Sequence, residues 1–236
     1  MLAVSFYYDL QKKGLNTLWI HFGSGTHFKV LPIHEIARIL GEEKSVALRG
    51  FHAFTGCDTT SYFAGSGKTT TWNRWNVFPG VTEAFRHLSF PHDTIPDSIF
   101  KLLQRFIVLC YSANSELHSL NEARKELFTS LYRTMINIPP TAAVLMEHSL
   151  RSGFQSGHVW GRALVCHVNL PSLQECGWLV IGDSCVPRWS SLPEVSKALQ
   201  DFMTCKCKKG CQKLCKFQKN KINCSLMCSC KGEGQK

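Results

Sequence analysis

The chain has 236 residues, 44% hydrophobic and 19% charged, enough apolar content to bury a core and too much for a disordered chain. No run approaches the ~18 consecutive apolar residues of a membrane span, and residues 1–10 lack the basic segment of a signal peptide, so a soluble, non-secreted protein is expected. The net charge of +10 is uneven: residues 201–236 hold nine lysines against Asp201 and Glu233, together with seven of the twelve cysteines.

In chain order, residues 2–8 form a short apolar run that reads as a strand. Residues 18–22 (Leu-Trp-Ile-His-Phe) have strand composition and stop at the Gly23-Ser24-Gly25 turn, from which residues 27–31 return as a second strand. Pro32 opens a helix whose Ile33, Ile36, Ala37 and Leu40 share one face, and Gly41 stops it. Residues 45–54 read as an apolar helix that ends at Thr55-Gly56-Cys57-Asp58-Thr59-Thr60, followed by Gly65-Ser66-Gly67-Lys68. Short helices are expected over 69–75 and 81–88, around Pro79-Gly80.

Asp97 or Ser98 can cap the next helix, with Ile99, Leu102, Leu103, Phe106, Ile107 and Cys110 on one face. Leu117, Leu120, Ala123, Leu127, Leu131 and Met135 make a second stripe, which Pro139-Pro140 breaks. Thr141 can cap a third helix through about residue 150. From 152 to 193 the periodicity fades into an irregular or β-rich segment with Trp160, Trp178 and Trp189 as packing anchors. The pattern divides the chain at 1–90, 91–150, 151–200 and 201–236. It predicts an α/β fold, mostly helical, with a small C-terminal module.

That module reads Cys205-Lys206-Cys207, Cys211, Cys215, Cys224 and Cys228-Ser229-Cys230. So few apolar side chains cannot offset the ordering entropy of the segment. An odd count of seven and no secretion signal make disulfides the weaker choice and zinc thiolates the stronger. Sulfurs of a Cys-x-Cys pair suit clusters in which one thiolate bridges two metals. The spacing resembles the CXC domain of the tesmin/TSO1 family, whose nine cysteines hold a zinc cluster and which binds DNA. Phe217 and the absence of a cysteine after Cys230 depart from that pattern, and Leu214 stands where the family reads DNA with a tyrosine. The dense positive charge of Lys206, Lys208, Lys209, Lys213 and Lys216 suits a polyanion.

The Phe51-His52-Ala53-Phe54-Thr55-Gly56-Cys57-Asp58-Thr59-Thr60 stretch is the second distinctive feature. A lone Asp after Gly is most often a turn or helix cap. The order strand, strand, helix, Gly-Cys-Asp, Gly-x-Gly-Lys resembles the carboxy-terminal half of a PIN-like nuclease core of the flap-endonuclease (XPG) kind. That resemblance implies Asp58 as a Mg²⁺ ligand, with Gly65, Gly67 and Lys68 against a nucleic-acid backbone. Together with Gly157-His-Val-Trp-Gly-Arg-Ala-Leu164, Pro187-Arg188-Trp189 and the Cys-x-Cys tail, the stretch is similar to a large transposon-associated animal family with no settled activity.

In the PIN-like pattern an Asp-x-Asp pair precedes the first apolar strand. Here Met1 stands at that place, Asp9 lies beyond the run and Glu35 reads as solvated. Two-metal chemistry needs several carboxylates, so no catalytic residue is named, nuclease activity is not expected, and the chain reads as a fragment or a degenerate copy. Gly65-Ser-Gly67-Lys68-Thr69 is no Walker A motif, because Tyr62 occupies the required first glycine. The reading is a DNA-binding protein derived from a mobile element, with a Zn²⁺ tail, nuclear by inference and otherwise cytoplasmic. The alternatives are a Mg²⁺- or Mn²⁺-dependent structure-specific nuclease and a protein-interaction scaffold.

Overall fold

The computed structural model describes residues 1–129, 137–189, 207 and 215. The chain divides into two compact units, Met1–Ser191 and Leu192–Lys236. Helices dominate the described residues, with two short antiparallel hairpins. No helix among them is long and apolar enough to cross a membrane.

The first apolar run is a helix, α1 (Leu2–Gln11), where a strand was expected. A run this short and apolar satisfies both periods, and packing decides between them. Val4, Ser5 and Tyr7 are buried, which is a helical spacing, and the Tyr8 hydroxyl donates to the Ala37 carbonyl oxygen at 3.2 Å. Among the described residues β1 (Trp19–Phe22) pairs with β2 (Lys29–Pro32) alone, with Trp19 opposite Pro32 and Phe22 opposite Lys29. The expected hairpin is therefore present, but the opening strand of the PIN-like order is not.

Helix α2 (Ile33–Leu40) buries Ile33 and Ala37 and half-buries Ile36 and Leu40, the face read from its spacing. Gly41, at φ +79°, ends it and begins α3 (Glu42–Phe54). Helix α3 is the hub of the first unit and packs on α1, α2, α5 (Thr82–Ser89) and α8 (Ala142–Gly153). Its contact with α5 is so close that a Cβ at Gly50 would collide with the Phe85 carbonyl oxygen. The Gly50 amide donates to Ser89 Oγ at 2.9 Å, and that hydroxyl donates to Phe85 O at 2.7 Å. Arg49, 1% exposed, lies over the rings of Phe6 and Phe90 and pairs with Asp9 at 3.5 Å.

Helix α4 (Lys68–Val77) and α5 flank Pro79-Gly80 as expected. Helix α6 (Asp97–Tyr111) buries Ile99, Leu103, Phe106 and Ile107. Neither Asp97 nor Ser98 caps it. Pro96 is the cap residue, and Asp97 sits in the first turn paired with Lys101 at 2.6 Å. Helix α7 (Leu120–Thr129) buries Leu120, Ala123 and Leu127; Leu131 and Met135 lie outside the described residues. Thr141 does cap α8, its Oγ1 accepting from the Val144 amide at 3.3 Å.

The segment expected to be irregular or β-rich begins as a continuation of α8. A π turn (Phe154–Val159) and a 3-10 turn (Trp160–Arg162) follow it directly. Two glycines make this possible: a Cβ at Gly157 would strike the Phe90 carbonyl oxygen, and one at Gly161 would stand 2.9 Å from that of Ser89. Among the described residues of the segment, only β3 (Trp178–Ile181) and β4 (Ser184–Pro187) supply strand structure. One cluster of buried side chains runs from Val4 to Leu145, so residues 1–90 and 91–150 share a single core.

Candidate functional site

The carbonyls of the last turn of α3 are only partly satisfied by backbone amides, with Thr55 N reaching Phe51 O at 3.0 Å and Gly56 N reaching Ala53 O at 3.3 Å. Four consecutive ones receive side-chain donors. Thr55 Oγ1 donates to Phe51 O at 2.6 Å, Lys68 Nζ to His52 O at 2.6 Å and Thr60 Oγ1 to Ala53 O at 2.5 Å. His148 Nε2 lies 2.7 Å from Phe54 O. A carbonyl only accepts, so that nitrogen carries the proton. The Phe-His-Ala-Phe-Thr-Gly-Cys-Asp-Thr-Thr stretch and the lysine beyond it therefore close one helix end.

Gly56 turns the chain at φ +102°, where a Cβ would stand 2.6 Å from that of Tyr62. The turn is closed by Gly56 N to Ala53 O at 3.3 Å and Cys57 N to Thr60 O at 3.1 Å. Cys57 Sγ lies 3.1 Å from Thr60 Oγ1 and 3.3 Å from Thr59 Oγ1. Burial raises the Cys57 thiol, but its hydrogen-bonding contacts with Thr59 and Thr60, their backbone amides included, bring it below its ordinary value. Thr59 Oγ1 also donates to Gln155 Oε1 at 2.9 Å, tying the turn to the π turn after α8.

Asp58 is exposed at the outside of this turn. Among the described residues, no three His, Cys, Asp or Glu side chains are grouped as a metal ion would require. Asp58 is therefore not part of such a group, and Asp9 pairs with Arg49. Metal coordination by Asp58 alone would be weak.

Lys68 points inward. Besides His52 O, its Nζ donates to Thr55 Oγ1 at 2.6 Å and lies 5.6 Å from the centre of the Phe51 ring. Burial pulls it down to about 8, opposed by Cys57. A cation at the negative end of a helix dipole is well placed to stabilise that helix and poorly placed to reach a phosphate. Gly65 (φ +73°) turns the loop, and Gly67 precedes the first residue of α4 with open space where a Cβ would go. The Gly-rich turn thus opens a helix, as expected, but its lysine serves α3. His52 stacks on Trp160 with ring centres 5.5 Å apart, and burial, then Lys68, pull it down to about 4.

Of the tail residues, Cys215 is buried and Cys207 half-buried. Cys205, Cys211, Cys224, Cys228, Cys230, Lys206, Lys208, Lys209, Lys213 and Lys216 lie outside the described residues. Sequence reasoning missed His148. Its only signal was position: Leu145, His148 and Ser152 share one face of α8, so a polar residue there had to be buried and hydrogen-bonded. Comparison with protein-family models, with curated proteins and with solved structures finds no match.

Proposed function

We propose that the protein binds nucleic acid, chiefly through the phosphate backbone, with its lysine-rich, cysteine-rich tail as the contact. The observation that carries this reading is the charge distribution: nine lysines against two acids within the last 36 residues, interleaved with seven cysteines. The engagement of Lys68 within its own unit supports placing the contact in the tail. An all-thiolate donor set suits Zn²⁺, and the bound metal would hold the backbone compact so that the lysines form one surface. Lysine ammoniums are point charges matched to phosphates, whereas base reading usually falls to Arg, Asn or Gln, and the tail has no arginine.

Affinity is therefore expected to fall steeply with salt. Changing Lys208, Lys209 or Lys213 to Ala is expected to weaken binding to all sequences alike. A competition assay on the full chain tests it, with and without a zinc chelator. A strong preference for one short motif that survives at ~200 mM salt would overturn the phosphate reading. Binding that a chelator leaves unchanged would overturn the role of zinc.

A further inference from the structure

A cavity of about 300 Å³ opens beside the loop that follows Asp58. Its walls include Tyr62 and Phe63 of that loop, Val144, His148 and Arg151 of α8, and Trp189. Tyr62 is 78% exposed and Trp189 61% exposed, so both rings offer their faces outside the core. The cavity is mostly apolar and at the small end of ligand sites, the size for one ring system.

Its polar groups are specific. Arg151 is 2% exposed and donates through Nη1 to the carbonyl oxygens of Gly177 and Arg188, each at 2.8 Å. Glu147, also buried, accepts from Arg188 Nε at 2.8 Å, so its ion pair is with Arg188, while Arg151 is held by the two carbonyls. Among the described residues, no Asp or Glu lines the cavity. This surplus of buried positive charge disfavours a cationic guest and favours acceptor atoms. His148, its Nε2 proton committed to Phe54 O, keeps Nδ1 as an acceptor, and burial lowers its pKa to about 4 so that the ring stays neutral. A guest with flat π faces, an acceptor edge and no positive charge fits this lining. A nucleobase has all three, whereas the Phe, Tyr and Trp rings of a protein partner lack ring acceptors and a histidine is smaller and readily takes up positive charge.

We propose that this cavity receives one nucleobase of a single-stranded segment, stacked on Tyr62 and Trp189, with a carbonyl or ring-nitrogen edge toward Arg151. The inference rests on the nucleic-acid reading above, but it assigns a second contact that depends on stacking and not on phosphate charge.

Free adenosine and thymidine, which carry no phosphate, are the probes, read on the full chain by Trp fluorescence and by NMR shifts of α8 amides. Both are expected to bind with little dependence on salt. Tyr62→Ala and Trp189→Ala are each expected to weaken binding about tenfold, the usual loss for one stacked base. Val144→Trp is expected to fill the cavity and abolish it, and the exposed Tyr62→Ala variant decides the matter if Val144→Trp does not fold. A short single strand carrying one 2-aminopurine is expected to lose its fluorescence on the wild-type chain and to regain it with Tyr62→Ala. No shift with either nucleoside would overturn the proposal while salt-dependent DNA binding stands. Stronger shifts with N-acetyltryptophanamide would overturn it in favour of a protein guest. Nucleoside and single-strand binding that salt leaves unchanged would sustain the cavity and defeat the phosphate reading of the tail, whereas nucleoside binding with no binding of a single strand would overturn the proposal.

Discussion

Lys68 shows how one residue can carry two opposed meanings. In the sequence it completes Gly-x-Gly-Lys and reads as a phosphate contact. In the fold its ammonium donates to His52 O and Thr55 Oγ1, both at 2.6 Å, at the end of α3. Lys68→Met separates the two. It leaves a half-buried carbonyl without its donor, which is expected to cost about 1–3 kcal/mol of stability in urea unfolding. DNA affinity is expected to be unchanged within twofold. A tenfold loss of affinity with unchanged stability would restore the phosphate role. Asp58 is the complementary case, since its neighbours Cys57, Thr59 and Thr60 are all engaged in closing the turn while it stands outside.

At the scale of elements, close approach sorts the glycines. Gly50 sits where α3 meets α5 backbone to backbone, and no side chain can move aside because the obstacle is the Phe85 carbonyl. Gly50→Ala is expected to destabilise by roughly 1–3 kcal/mol or more, as overpacking does. Gly67 has open space at the Cβ position and φ −70°. Gly67→Ala is expected to be neutral or slightly stabilising, through the entropy of the unfolded chain. Thermal unfolding of the two variants checks the pair. A marked fall in DNA affinity for Gly67→Ala would show that the turn does approach a backbone. The π turn after α8 follows the same logic, because Gly157 and Gly161 let it lie against the end of α5.

For the whole first unit, acid is the sensitive direction. Burial, the largest cause for both, holds His52 and His148 near 4 in the folded chain against an ordinary 6.5. A histidine with a depressed folded pKa contributes stability that is fully present above about 6.5 and is lost as the pH falls toward 4. Unfolding free energies measured at about pH 7 and pH 5 are expected to differ in that sense. His148→Gln, which can still donate to Phe54 O, is expected to flatten the slope. An unchanged slope in that variant would mean that His148 does not stay neutral in the folded state. His148 matters at this scale because it joins α8 to the end of α3, two elements 94 residues apart in sequence.

The sequence by itself determined the elements with strong periods and clear punctuation. The Ile33, Ile36, Ala37, Leu40 face of α2, the α6 stripe, the Gly41 stop and the Thr141 cap are all local properties, read from neighbours within a turn or two. It also determined the charge and cysteine asymmetry, because composition needs no coordinates. Tertiary structure alone decided the rest. Residues 2–8 are apolar enough for either period, and packing on α2 and α3 made them a helix. The end of α3 collects donors from positions 55, 60, 68 and 148, a convergence that no spacing along the chain reveals. The cavity beside Tyr62 likewise draws Trp189 and α8 together from distant stretches. Local geometry is written in adjacent residues, whereas a helix end or a cavity is satisfied by whatever the fold brings to it.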